Sequence, residues 1–177
     1  KRVGLVVVGD RDDGISKAVG DTVGTAGGRL VRIRVLGAPL PVDDLTKAVA
    51  SLPPPLRAAG TSFEELGERI GIELVTGGAT PLLDALEELV VETRSGPSGP
   101  PLDGIIIART AKPQSGETQD FLTGLYRGLG AGGAIHVGVE RAGTTPTTVP
   151  VLARAGLSTV DSIETPAGQL ALVLLLA

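Results

Sequence analysis

Two groups of side chains have the types and spacing to do chemistry. Asp10, Asp12 and Asp13 stand together between Gly9 and Gly14, and Arg109, Thr110, Lys112, Ser115 and Gly116 precede a later helical stretch. Two cations, hydroxyls and the free N–H groups of a helix start are what a small anionic ligand or a nucleotide needs. The three aspartates offer hard oxygen donors to a loosely held cation, although no acid from elsewhere in the sequence joins them. A plainer reading stands beside these. Asp10 or Asp13 caps one helix, Ser115 caps the other, and the cations are solvated.

Other chemistries find less support. Gly9 to Gly14 lacks the Gly-x-Gly start of a dinucleotide fingerprint, and no Lys-Ser or Lys-Thr follows for a P-loop. A phosphoacceptor receiver needs an aspartate where this chain has Ala108-Arg109. His136 is the sole histidine and the only soft-to-borderline metal ligand, with no second imidazole or thiolate beside it. Ser158 and Thr159 have no base placed for them and no Gly-x-Ser-x-Gly elbow. We therefore expect no catalytic activity and identify no cofactor from these residues.

The elements that position these loops are legible in the apolar pattern. Val3 to Val8 is an almost unbroken apolar run, without the alternation of a strand that has water on one face. It reads as a central strand of a parallel sheet, with the Gly9–Gly14 loop at the carboxyl edge where open α/β sheets bind ligands. Ile15, Val19 and Val23 follow at helical spacing, and Gly27-Gly28 stops that helix. In 29–36, Val31, Ile33 and Val35 alternate with Arg32 and Arg34, which predicts a half-exposed edge strand. Gly104 to Ala108 is a second buried strand, 109–117 a polar loop, 134–140 a fourth strand and 157–163 a polar fifth.

Between the second and third strands lies a helical insertion over about 53–93, preceded by a short helix over 42–52. Ser62-Phe63-Glu64-Glu65 has the form of a capping box, and Thr80-Pro81 marks another helix start. Residues 94–101, rich in Gly and Pro, read as a stiff exposed linker. Thr165-Pro166 opens a final helix through Leu170, Val173 and Leu174, whose apolar end reads as buried. The expected fold is one α/β domain over 1–177. It has a doubly wound, Rossmann- or flavodoxin-like, mostly parallel five-stranded sheet in the order 2-1-3-4-5.

Composition narrows the partners. A chain of 177 residues with 42% apolar content fits one well-cored domain. Its net charge of −4 provides no basic footprint for nucleic acid. No apolar run approaches the roughly 18 residues that span a bilayer. There is no Cys and no Met, so neither disulfides nor soft sulfur ligands are present.

The segment Leu157-Ser158-Thr159-Val160-Asp161-Ser162-Ile163-Glu164-Thr165-Pro166-Ala167-Gly168-Gln169 resembles the closing signature of the actinobacterial MctB-like copper-transport outer-membrane proteins. The opening strand with Gly9 to Gly14, and the helical stretch from Leu66 to Val91, are similar to that family too. The resemblance implies a cell-envelope protein in copper homeostasis, with a membrane-anchoring helix and a coiled coil upstream of this domain. It further implies that membrane contact runs through that anchor. The partners would be other envelope proteins or a second copy joined through the coiled coil. Copper enters only through this resemblance. Without sulfur ligands, and with an α/β pattern instead of a membrane barrel, the expected role is a soluble scaffold or partner-binding module.

Overall fold

The computed structural model describes residues 1–57, 62–97, 99–131 and 133–177. Residues 58–61 of the expected insertion and residue 98 of the expected linker lie outside this description. Among the described residues there are six strands: β1 (Arg2–Val8), β2 (Arg29–Leu36), β3 (Val91–Ser95), β4 (Gly104–Arg109), β5 (Ile135–Val139) and β6 (Ser158–Val160). They form one sheet in the order β3-β2-β1-β4-β5-β6. Five of them run parallel in the expected order, with β1 between β2 and β4. The expectation of a mostly parallel sheet of five strands is corrected at one edge, where a sixth strand is added. There β3 adds antiparallel to β2, with Arg34 opposite Arg94.

Among the described residues eight helices cover the sheet: α1 (Asp13–Thr25), α2 (Val42–Ser51), α3 (Pro54–Arg57), α4 (Phe63–Thr76), α5 (Pro81–Val90), α6 (Gly116–Gly130), α7 (Val149–Arg154) and α8 (Pro166–Leu176). One face packs Leu5, Val7, Ile106 and Val137 against Ile15, Val19 and Val23 of α1 and Leu172 and Leu176 of α8. The other packs Val6, Val8, Ile105 and Ile107 against α2, α4, α5, α6 and α7. Because β1 and β4 are covered on both faces, their apolar runs are continuous. The last helix differs from expectation. Leu172 and Leu176 turn inward, leaving Leu170 and Leu174 60% and 69% exposed.

β3 changes the meaning of the two arginines expected on a solvent face. Arg32 and Arg34 are buried. Arg32 donates through Nε to Pro97 O at 3.0 Å and through Nη1 to Leu74 O at 3.1 Å, in the last turn of α4. Arg34 donates through Nη1 to Ser95 O at 2.9 Å and through Nη2 to Gly96 O at 3.3 Å. Burial lowers the pKa of both guanidinium groups, and the carbonyls compensate the lost water. A bulge in β2 beside Val3 and Gly4 places Val31 on the arginine side instead of with Ile33 and Val35. The expected linker therefore begins inside a strand, and its carbonyls receive these cations.

The tightest helix crossing joins α4 and α6. Each carries a Gly-x-x-x-Gly pair, Gly67 with Gly71 and Gly124 with Gly128. A Cβ on Gly71 would lie 2.5 Å from Leu125 O, and one on Gly124 would lie 2.7 Å from the carbonyl carbon of Glu64. Only hydrogen fits, so the two backbones touch. Arg127 pairs with Glu64 and, at 3.3 Å, with Glu68 across the same crossing.

Candidate functional site

The loops after β1 and β4 meet at the carboxyl edge, as a doubly wound topology requires. Thr110 N and Ala111 N both donate to Val8 O, at 2.9 and 3.0 Å, and Thr110 Oγ1 donates to Asp10 O at 2.8 Å. Gly9 has φ +106°, and a Cβ there would lie 2.7 Å from the Ala111 methyl. At this point the two loops are packed directly on one another.

Each sequence-derived residue has a definite place. Asp12, not Asp10 or Asp13, caps α1: its Oδ1 accepts from Ile15 N at 2.9 Å, while Oδ2 meets Arg141 at 3.3 Å. The capping position falls one residue before the helix begins at Asp13. Asp13 pairs with Arg11 at 2.7 Å on the surface, and Asp10 is exposed. Lys112, Ser115 and Gly116 are exposed. Ser115 occupies the N-cap position of α6 without a side-chain capping bond.

Arg109 separates from this group. It is the last residue of β4 instead of a loop residue, and it is 8% exposed. By strand alternation it shares the face of Ile105 and Ile107, the face covered by α6, whereas α1 lies on the opposite side of the sheet. The structure thus joins Asp10 with Thr110 and Ala111, but not Arg109 with the aspartates.

His136, in β5, is half-buried. Its Nδ1 lies 3.0 Å from Ala134 O and its Nε2 3.1 Å from Gly156 O. Both ring nitrogens therefore face carbonyl oxygens, and the imidazole ties β5 to the turn before β6. Among the described residues, no group of three or more His, Asp or Glu side chains is placed to hold a metal ion. Ser158 is exposed at the start of β6, and Thr159 is half-buried in it.

Three polar features escaped sequence reasoning. Glu140 is buried just past β5 and accepts from Thr147 Oγ1 at 2.5 Å, Thr148 N at 2.6 Å and Thr148 Oγ1 at 2.8 Å, which fixes the threonine-rich loop. Glu73 in α4 accepts from Leu82 N at 3.3 Å and Leu83 N at 2.9 Å, capping α5 in place of Thr80. Arg109 Nε and the Tyr126 hydroxyl are buried without a partner of good hydrogen-bond geometry among the described residues, and the two side chains interact with each other. Burial pushes the Tyr126 phenol up to about 12, and the nearby Arg109 guanidinium pulls against that rise. The threonine run hinted at the first feature. Nothing in the spacing marked the other two.

With the fold in view, comparison with known families is decisive. The family described as "Copper transport outer membrane protein, MctB" matches the chain over residues 1–177. The chain belongs to the MctB family. Membership implies a role in copper transport and points to the cell envelope. No curated protein matches the chain. Within this MctB-family chain, no helix among the described residues is long and apolar enough to cross a membrane. Its sheet is open, edged by β3 and β6 and covered by helices on both faces.

Proposed function

We propose that this chain is an extracytoplasmic, non-catalytic domain of a membrane-anchored MctB protein, acting as a scaffold or partner-binding module in copper transport. The donor set carries this reading. Cu(I) selects thiolate and thioether ligands, and the chain has no Cys and no Met. Each nitrogen of the single imidazole faces a carbonyl oxygen at 3.0–3.1 Å, so the side chain would have to turn away from one of them to present a lone pair to copper. Copper is then the cargo of the larger protein, and this domain shapes or recruits the machinery that moves it. The anchor, coiled coil, self-association and envelope partners implied by the family resemblance complete the proposal.

Orientation is tested with a single cysteine. Lys112 is exposed, and the chain has no cysteine of its own. In intact cells producing the full-length protein, Lys112→Cys should react with a membrane-impermeant maleimide, while the unsubstituted protein sets the background. Labelling that appears only after the cells are lysed would place the domain on the cytoplasmic side and end the proposal.

A further inference from the structure

The three large apolar side chains exposed among the described residues all stand on one helix. Leu170, Leu174 and Leu175 of α8 are 60%, 69% and 37% exposed. Residues 166–177 carry no charge, and Gln169 is their one polar side chain. A surface helix normally turns polar side chains to water, whereas a helix apolar all round is buried. Leu172 and Leu176 already meet the sheet, so the opposite side of α8 is the one left without a cover. Three leucines exposed to this degree present roughly 300 Å² of apolar surface, a patch of the size that marks a contact on a monomer.

The neighbouring helix shows what fits there. α1 and α8 pack side by side on one face of the sheet. They follow β1 and β6, which share one strand direction, so the two helices also run the same way. Their starts are level, because Arg141 reaches Asp12, the cap of α1, at 3.3 Å and Glu164, next to the cap of α8, at 4.0 Å. Asp13 and Pro166 begin the two helices; Lys17 and Leu170 stand four residues further on, Asp21 and Leu174 eight. All four of these are exposed, so a pair of opposite charges lies level with a pair of leucines.

We propose that α1 and α8 form a homodimer face, with the leucines of two α8 helices at its centre. A two-fold axis in the plane of this face, perpendicular to both helices, lays each helix antiparallel on its own copy. Leu170 then meets Leu174 of the second copy, and Lys17 meets Asp21 of the second copy. Each pairing occurs twice, once on either side of the axis, as an isologous contact requires. Lys17 and Asp21 already pair within one copy at 2.5 Å, and the second copy extends them into a cluster of alternating charge beside the apolar centre. A lipid surface fits less well, since a helix that lies on a membrane carries basic flanks, α8 has no charge and the chain carries −4. Two such faces bury on the order of 1,000 Å² in total, the low end for a specific interface, so the dimer dissociates at micromolar concentrations. The contact belongs to this domain and does not require the coiled coil of the proposed function.

Sedimentation of the full chain from micromolar to sub-millimolar concentration should show a monomer–dimer equilibrium. Leu174→Glu, at a site 69% exposed, should leave the melting temperature of the dilute chain unchanged. It should weaken the dimer about a hundredfold, because the axis removes two buried leucines at once. Lys17→Asp should weaken it about fivefold in low salt, and adding Asp21→Lys to that variant should restore it, since the exchanged charges meet in the same way. A chain that stays monomeric throughout would overturn the proposal, whether or not it binds vesicles of phosphatidylcholine and phosphatidylglycerol. So would open-ended aggregation, a dimer indifferent to either single substitution, or one that the charge exchange does not restore.

Discussion

Replacing Gly124 by alanine probes the crossing of α4 and α6 directly. In an exposed helix this change stabilises by about 1 kcal/mol, because alanine is the better helix former. Here the added methyl would stand 2.7 Å from the Glu64 carbonyl carbon and 2.8 Å from Glu68 N, and closer still to the Glu64 oxygen. These are backbone atoms of a packed helix, so no side chain can rotate away. Relief requires the helices to part by roughly an ångström, and overpacking of this kind costs about 1–3 kcal/mol, more where both partners are rigid. Parting also loosens Leu66, Ile70, Phe121 and Leu125, which pack in the same core.

The net expectation is a loss of about 2 kcal/mol or more, or roughly 4–8 °C in melting temperature for a domain this size. Gly24→Ala is the control, since a Cβ on Gly24 in α1 meets nothing within 4 Å. It should stabilise by about 0.4–1 kcal/mol. Urea unfolding followed by far-ultraviolet circular dichroism measures both variants. If Gly124→Ala is as stable as Gly24→Ala, the backbones do not touch and the crossing described above is wrong.

Tyr126 gives a pH prediction with a direct optical readout, because the chain has one tyrosine and no tryptophan. Its phenol is raised from 10.0 to about 12, so the fold favours the neutral form. The resulting stability is complete below pH 10 and falls as pH rises from 10 towards 12, by about 3 kcal/mol in total. Phenolate absorbance should therefore appear near pH 12 in the folded chain, and Tyr126→Phe should lack this alkaline loss. Titration at the ordinary tyrosine value would show that the hydroxyl is in water. Glu140→Ala strips three donors of their acceptor and should cost about 2–4 kcal/mol, while Glu140→Gln, which keeps one carbonyl oxygen, should cost less. Equal stability of these two variants by urea unfolding would contradict the role given to Glu140.

Much of the fold was legible because its signals are local. The unbroken runs of β1 and β4 could only be buried strands, and the helix stop at Gly27 and the helix start at Ser62-x-x-Glu65 act within one turn. β3 was hidden because Val91 continues the apolar stripe of α5, so the residues read as a helix end running into a linker. Arg32 and Arg34 alternate with apolar neighbours just as an exposed face does. Their acceptors include the backbone carbonyls of residues 74, 95, 96, 97 and 99, which have no side-chain signature. The glycine pairs on α4 and α6 were visible at a spacing of four, the spacing that puts two residues on one helix face. Only the crossing reveals their purpose. At the candidate site, topology did bring the β1 and β4 loops together as read. The side of the sheet on which Arg109 emerges depends on where β4 ends, and a strand end is the least certain feature of a sequence pattern.

On the function proposed above, this MctB-family domain serves copper transport without holding the metal itself. A Cu(I) competition titration against a chromogenic chelator, run on the chain under reducing conditions beside a protein with one surface histidine, tests it most directly. The expected result is binding no tighter than that control, and no change in His136→Gln. Stoichiometric binding at sub-micromolar Cu(I) would contradict it.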